Sequence, residues 1–198
     1  YNHVGNHAMH QAELAKSLVM GGVTRRFPDL HFALLEGGMG WGFQQFAEII
    51  SLWEKRRLAG LEATNPAHLD RRGYTQLVER YAGRWIEGRV AEFEKSLENF
   101  HTVSVPEEDL DEWAAMEIER AEDFVDRYAA RLFFGCEADD RANTLAFSPK
   151  LSPFQVRFNA VFGSDIGHFD VPDMREVLEE AYELREEELI NADDFRDF

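Results

Sequence analysis

"FGSDIGHFDVPDM", residues 162–174, follows the apolar residues "FNAV" and breaks their run with Gly163, Ser164 and Asp165. A carboxylate is costly to bury without a partner and easily presented at a strand end. The stretch therefore reads as a buried strand that delivers Asp165 at its C-terminal end. Two earlier segments repeat the pattern. "HFALLEGG" (31–38) is a short apolar run closed by Glu36 and two glycines, and "RLFFGCEADD" (131–140) is closed by an acidic loop holding Glu137, Asp139 and Asp140. Short apolar runs bounded by glycine signal buried strands. Three such strands separated by helical segments predict a parallel α/β arrangement, whose reacting groups gather at the C-terminal strand ends.

Between the first and second strands the texture changes. "FQQFAEIISLWEKRRL", "YTQLVERYAGRWIEGRVAEFEKSLENF" and "EEDLDEWAAMEIERAEDFVDRYAARL" read as three long amphipathic helices, with Asn65-Pro66 and Val105-Pro106 as breaks. Trp53, Trp85 and Trp113 are expected to pack them together, and the tryptophan and phenylalanine stripes read as core or subunit contact. Residues 43–130 are too long for an ordinary crossover and read as a helical insertion. Outside it, His10–Val23 predicts a helix stopped near Gly21, and "ANTLAF" a short helix. "VPDMREVLEEAYELREEEL" predicts a longer one, with Pro172 in its first turn and Asp170 as cap, and Asn191 can cap a last short turn.

The chain carries 38 acidic against 21 basic residues, a formal net charge of -17. So strong a negative field repels phosphate and argues against nucleic acid or an anionic membrane surface as partner. The acidic residues concentrate in Glu107–Asp126 and Glu176–Asp197, beside apolar residues at helical spacing, which marks solvated helix faces. Cys136 is the single cysteine, so no intrachain disulfide can form, and a reducing, cytoplasmic compartment is expected. It sits mid-strand and reads as a small buried hydrophobe. No apolar run approaches the roughly 18 residues of a membrane span. No Gly-x-Gly-x-x-Gly, Walker loop or Gly-x-Ser-x-Gly supports a nucleotide or serine-hydrolase reading. Both ends read as cut, and the chain is expected to be part of a longer protein.

"GGVTRRFPDLHFALLEGGMGW" (21–41) resembles the amidohydrolase-2 family, metal-dependent hydrolases related to aminocarboxymuconate-semialdehyde decarboxylase. "VFGSDIGH" (161–168) resembles that family's last-strand motif. The resemblance covers roughly residues 8–42 and 131–198, and implies that residues 1–198 are the C-terminal part of a (β/α)8 TIM barrel with the large helical insertion at 43–130. It also implies a divalent metal, zinc, at the barrel mouth. Asp165 matches the final-strand aspartate, a metal ligand that takes a proton from metal-bound water. Glu36 stands where the family carries its sixth-strand histidine, as a substitute ligand, while the first-strand His-x-His has no counterpart here.

The implied activity is hydrolysis of a C–N or C–O bond of a small organic substrate by metal-activated water. Non-oxidative decarboxylation is the alternative within the superfamily, and a non-catalytic helical interaction module built on residues 43–130 is the rival from another class. The expected partners are a small-molecule substrate and further copies of the chain in a homo-oligomer, with little activity in this chain alone.

Each residue also has a plainer reading. Ser164-Asp165 suits a turn. Glu36 contacts metal or substrate, or else forms an ion pair with an arginine. His168 meets substrate, hydrogen-bonds Asp165, or lies idle on a surface loop. His7, by register in a loop over the mouth, is a second substrate contact. His3, His7 and His10 suggest a metal cluster on spacing, against which stands a terminal segment prone to fray.

Overall fold

The computed structural model describes residues 4–65, 68–99, 109–169 and 171–198. His3, Pro66, Val105-Pro106 and the proposed cap Asp170 lie outside them. In chain order the elements are α1 (Asn6–Met20), α2 (Val23–Arg26), β1 (Phe32–Leu34), α3 (Gly40–Arg56), α4 (Leu58–Thr64), α5 (Arg71–Tyr81) and α6 (Val90–Asn99). Then follow β2 (Leu132–Cys136), β3 (Asn159–Phe162), α7 (Val177–Glu186) and α8 (Ala192–Asp197). Two compact units result: Glu54–Glu112, and the remainder of the chain.

All three strands expected from the apolar runs form, and they lie parallel in the order β1-β2-β3. Phe32 pairs with Leu132 across the first ladder, and Phe133 with Asn159 across the second. The expected barrel portion is not there. The chain is mostly helical, and the described residues contain only this small open sheet. A TIM barrel needs longer strands at a common tilt, covered by helices on the outside. Here the strands run three, five and four residues. One face is packed, whereas Ala33 and Val161 on the other are exposed. Parallel sheets in barrels are covered on both faces.

The packed face explains why so short a sheet holds. Phe134, fully buried on β2, meets Trp41 edge-on at 5.3 Å, Phe158 at 6.2 Å and the Tyr128 ring stacked at 6.4 Å. Phe46 of α3 joins them, 5.5 Å from Tyr128 and 5.3 Å from Phe158. Such aromatic pairs each contribute about 0.5–1.5 kcal/mol beyond their burial. The buried Tyr128 hydroxyl lies 3.2 Å from the Gly42 carbonyl and 3.0 Å from the Gln45 side-chain oxygen. Gln45 in turn donates to the Ala12 carbonyl on α1 at 2.8 Å. One polar chain thus ties α1 and α3 to the turn preceding β2. Burial pushes the Tyr128 phenol far above its usual range, so it stays a neutral donor.

The long helices expected of the insertion are shorter or missing. The run 74–100 is interrupted by a turn through Gly83 and Gly88, both at positive φ, which separates α5 from α6. The described residues 109–132 form no long helix. Glu117 is left-handed (φ 50), and the Asp123 carboxylate accepts the backbone N–H groups of Glu119 and Arg120, each at 2.9 Å. Side-chain bonds of this kind offer the backbone an alternative to the helix. The same N–H groups, Arg120's foremost, hold the Asp123 carboxyl below the usual carboxylate range. Helix α7 begins at Val177 rather than at Pro172, since Asp173 turns back to accept from the Arg175 backbone N–H at 3.0 Å. Asn191 caps α8 in a full capping box with Asp194.

Trp53 and Trp113 are buried in the first unit, but Trp85 is 74% exposed. The flanks of the expected insertion, from Phe43 to Trp53 and from Trp113 to Tyr128, thus belong to the first unit's core. Within Glu54–Glu112, Asp70 caps α5 by accepting from Gly73 N–H at 2.9 Å. Tyr74 packs on Phe93 at 5.6 Å beside the buried Leu97.

Gly42 is a tight point of the core: a Cβ there would lie 2.2 Å from the Phe134 ring. Alanine favours a helix interior over glycine by about 1 kcal/mol. A clash with a ring held on several sides outweighs that gain, as overpacking typically costs about 1–3 kcal/mol. Gly42→Ala is therefore expected to lower unfolding free energy in urea titration. An unchanged or raised midpoint would contradict this packing.

Candidate active site at the strand ends

The C-terminal ends of β1, β2 and β3 frame a cleft of about 250 Å³. Glu36, Glu137 and Asp165 line it together with Leu35, Val161 and Phe162. The turn carrying Glu36 is held down on the sheet by Gly135 of β2. Its carbonyl accepts the Gly38 N–H at 3.0 Å, and a side chain there would put Cβ 2.7 Å from the Leu35 Cα. Across the cleft, Gly163 N–H donates to the Cys136 carbonyl at 2.9 Å, which sets the start of the Asp165 loop.

Both candidate carboxylates sit on left-handed backbone, Glu36 at φ 66 and Asp165 at φ 49. For a residue with a Cβ this conformation costs roughly 1–2 kcal/mol. Strain of this sort collects at functional sites. Each carboxylate also has a histidine. His7 Nε2 on α1 lies 3.6 Å from Glu36 Oε2, and His168 Nδ1 lies 2.9 Å from Asp165 Oδ2. All four side chains are partly exposed, between 30% and 52%. The Asp165 carboxylate against Nδ1 fixes the tautomer and orientation of the His168 imidazole, while Glu36 at 3.6 Å is an ion-pair neighbour of His7.

The four predicted site residues therefore form two pairs at the C-terminal strand ends, with Glu36 and Asp165 lining the cleft and the histidines outside its wall. His7 does so from a helix rather than from the expected loop, and Glu36 meets a histidine rather than an arginine. His10, also on α1, is exposed. Asp140 serves as a cap, accepting from the Ala142 N–H at 2.8 Å. Two residues passed unnoticed in the sequence. Gln11, one turn after His7, donates its side-chain N–H to the Leu35 carbonyl, and its Oε1 is buried beside Gly37 with the Trp41 indole nitrogen. The spacing of His7 and Gln11, four apart on one helix, is the signal that could have joined them.

A catalytic zinc takes three protein donors and a water. Among the described residues no three His, Cys, Asp or Glu side chains converge, and the candidates are grouped in twos. Among the described residues this donor set does not complete a three-donor zinc site. Comparison with protein-family models, with curated proteins and with solved structures finds no match to this chain. Among the described residues no helix is long and apolar enough to cross a membrane.

Cys136 borders the cleft, yet it is buried and free of any disulfide. Burial pushes its thiol up to about 12, with the nearby charges of Asp140 and Glu137 adding to the rise. A thiol so held is protonated at neutral pH and unreactive. Labelling by an aromatic disulfide at pH 8 is expected to be at least about 100-fold slower in the native protein than in urea. Equal rates would place the sulfur in solvent.

The backbone strain gives a second test. Glycine relieves the left-handed cost but adds roughly 0.4–1 kcal/mol of unfolded-state entropy. Glu36→Gly and Asp165→Gly should each leave stability unchanged or raise it by up to about 1 kcal/mol. A clear loss in thermal or urea unfolding would show that these carboxylates serve the fold.

Proposed function

We propose that the strand-end cleft is an acid–base site that hydrolyses a C–N or C–O bond of a small organic substrate. The observation that supports this most is the pairing of Glu36 with His7 and of Asp165 with His168 beside one cleft. A carboxylate-held imidazole can take a proton from a water as it attacks, and a second imidazole can return one to the leaving nitrogen or oxygen. His168, with Nδ1 turned to Asp165, is the stronger candidate for the base, and His7 with Glu36 for the acid. Leu35, Val161 and Phe162 supply an apolar wall for the substrate's body. Since the described donors do not gather around a cation, no step is assigned to zinc.

The test screens the protein against chromogenic esters and amides. Asp165→Asn and His168→Gln should each lower kcat by about 10²–10⁴-fold with little change in KM or circular dichroism. Wild-type rates in both variants would sink the assignment. Elemental analysis adds an independent check: about one zinc per chain, lost in Asp165→Ala, would replace this mechanism with the metal-activated water that the family resemblance implies.

A further inference from the structure

The second unit carries a surface unlike the rest of this acidic chain. Residues 71–89 hold five arginines against two glutamates, within a protein of net charge -17. On this stretch Leu77 is 55%, Tyr81 72% and Trp85 74% exposed. Arg80 lies over the Tyr81 ring and Arg84 over the Trp85 ring, each 5.3 Å from the centroid. Arginine, tyrosine and tryptophan are the residues that dominate protein interfaces. Leu69, Tyr74, Leu77 and Arg80 line a groove along α5 beside them.

Helix α7, in the first unit, has the complementary character. Residues 176–188 hold seven glutamates and one arginine. Leu178 and Tyr182 form an exposed apolar ridge (60% and 45%), and with Glu179, Glu183, Glu186 and Phe195 they line a second groove. Both surfaces thus combine exposed apolar and aromatic side chains with a net excess of one charge, and the excesses are opposite in sign.

We propose that the arginine-aromatic face at residues 71–89 docks the acidic α7 face of a second copy of this chain. The occupant follows from charge complementarity: the face needs an acidic, partly apolar helix, and each copy presents one. Two different surfaces meeting between copies make a heterologous, head-to-tail contact. Opposed charges speed and orient such an encounter, and salt screens it. The inference is independent of the chemistry assigned to the strand-end cleft.

Sedimentation velocity of the full chain over a concentration series tests it. The expected result is a weight-average mass that rises with concentration in 20 mM salt and falls back in 500 mM. Arg80→Glu with Arg84→Glu should weaken association by about tenfold or more, as should Glu179→Arg with Glu183→Arg. An equimolar mixture of the two double variants should associate again, because each then supplies the face the other lacks. Loss of folding could not produce that recovery. A monomer at every concentration and salt would overturn the proposal, as would association unaltered by either variant. Binding of heparin that depends on Arg80 and Arg84, without self-association, would instead make the face a polyanion site.

Discussion

The contact between the Phe134 ring and the bare backbone of Gly42 is the constraint on which the first unit depends. Strands of three to five residues have too few ladder hydrogen bonds to stand alone. Their order comes from a helix that can approach the central strand closely, because at the point of contact it has no side chain. That approach brings Trp41, Tyr128 and Phe158 around one ring, with Phe46 packed on Tyr128 and Phe158. It also puts the Gly42 carbonyl within reach of the buried Tyr128 hydroxyl. A larger residue at either position would displace several others, since close-packed interiors do not deform gradually.

From that packing follows the geometry at the strand ends. With β2 pinned from one side, Gly135 can accept the β1 turn onto its open face, so that Glu36 reaches the cleft that Asp165 reaches from β3. Both carboxylates hold conformations that glycine or asparagine would adopt more readily, at a cost the core offsets. The histidines differ in how they arrive. His168 is three residues from Asp165 on the same loop, a local pairing. His7 comes from the first helix and meets Glu36 only because α1 is tied to α3 through Gln45 and to the β1 turn through Gln11.

Charge is distributed in the same non-uniform way. Helix α7 carries its glutamates on a solvated face, as the patterning suggests, whereas most of the acid at 109–126 lies on turns and short 3-10 segments. The arginines of residues 71–89 stand apart from it, and Trp85 stands among them in solvent instead of in a core. Tryptophan at helical spacing ordinarily means packing. Here the chain turns at Gly83 and Gly88, which breaks the helix that would have carried Trp85 inward.

The sequence by itself determined what is local. Glycine-bounded apolar runs located the three strands to within three residues, the C-terminal carboxylates fell just past the ends of those strands, and Asn191 capped the last helix. These depend on backbone preference and on burial within a few residues. Tertiary structure decided the rest. Whether a parallel sheet closes into a barrel depends on strand number, stagger and tilt summed over the whole array, which no single motif encodes. The described residues 109–132 had the right period for a helix and lost it to the Asp123 carboxylate and the left-handed Glu117, a competition that hydrophobic spacing does not register. The meeting of His7 with Glu36 joins residues far apart in the chain, and only the packing of α1 against the sheet brings them within reach.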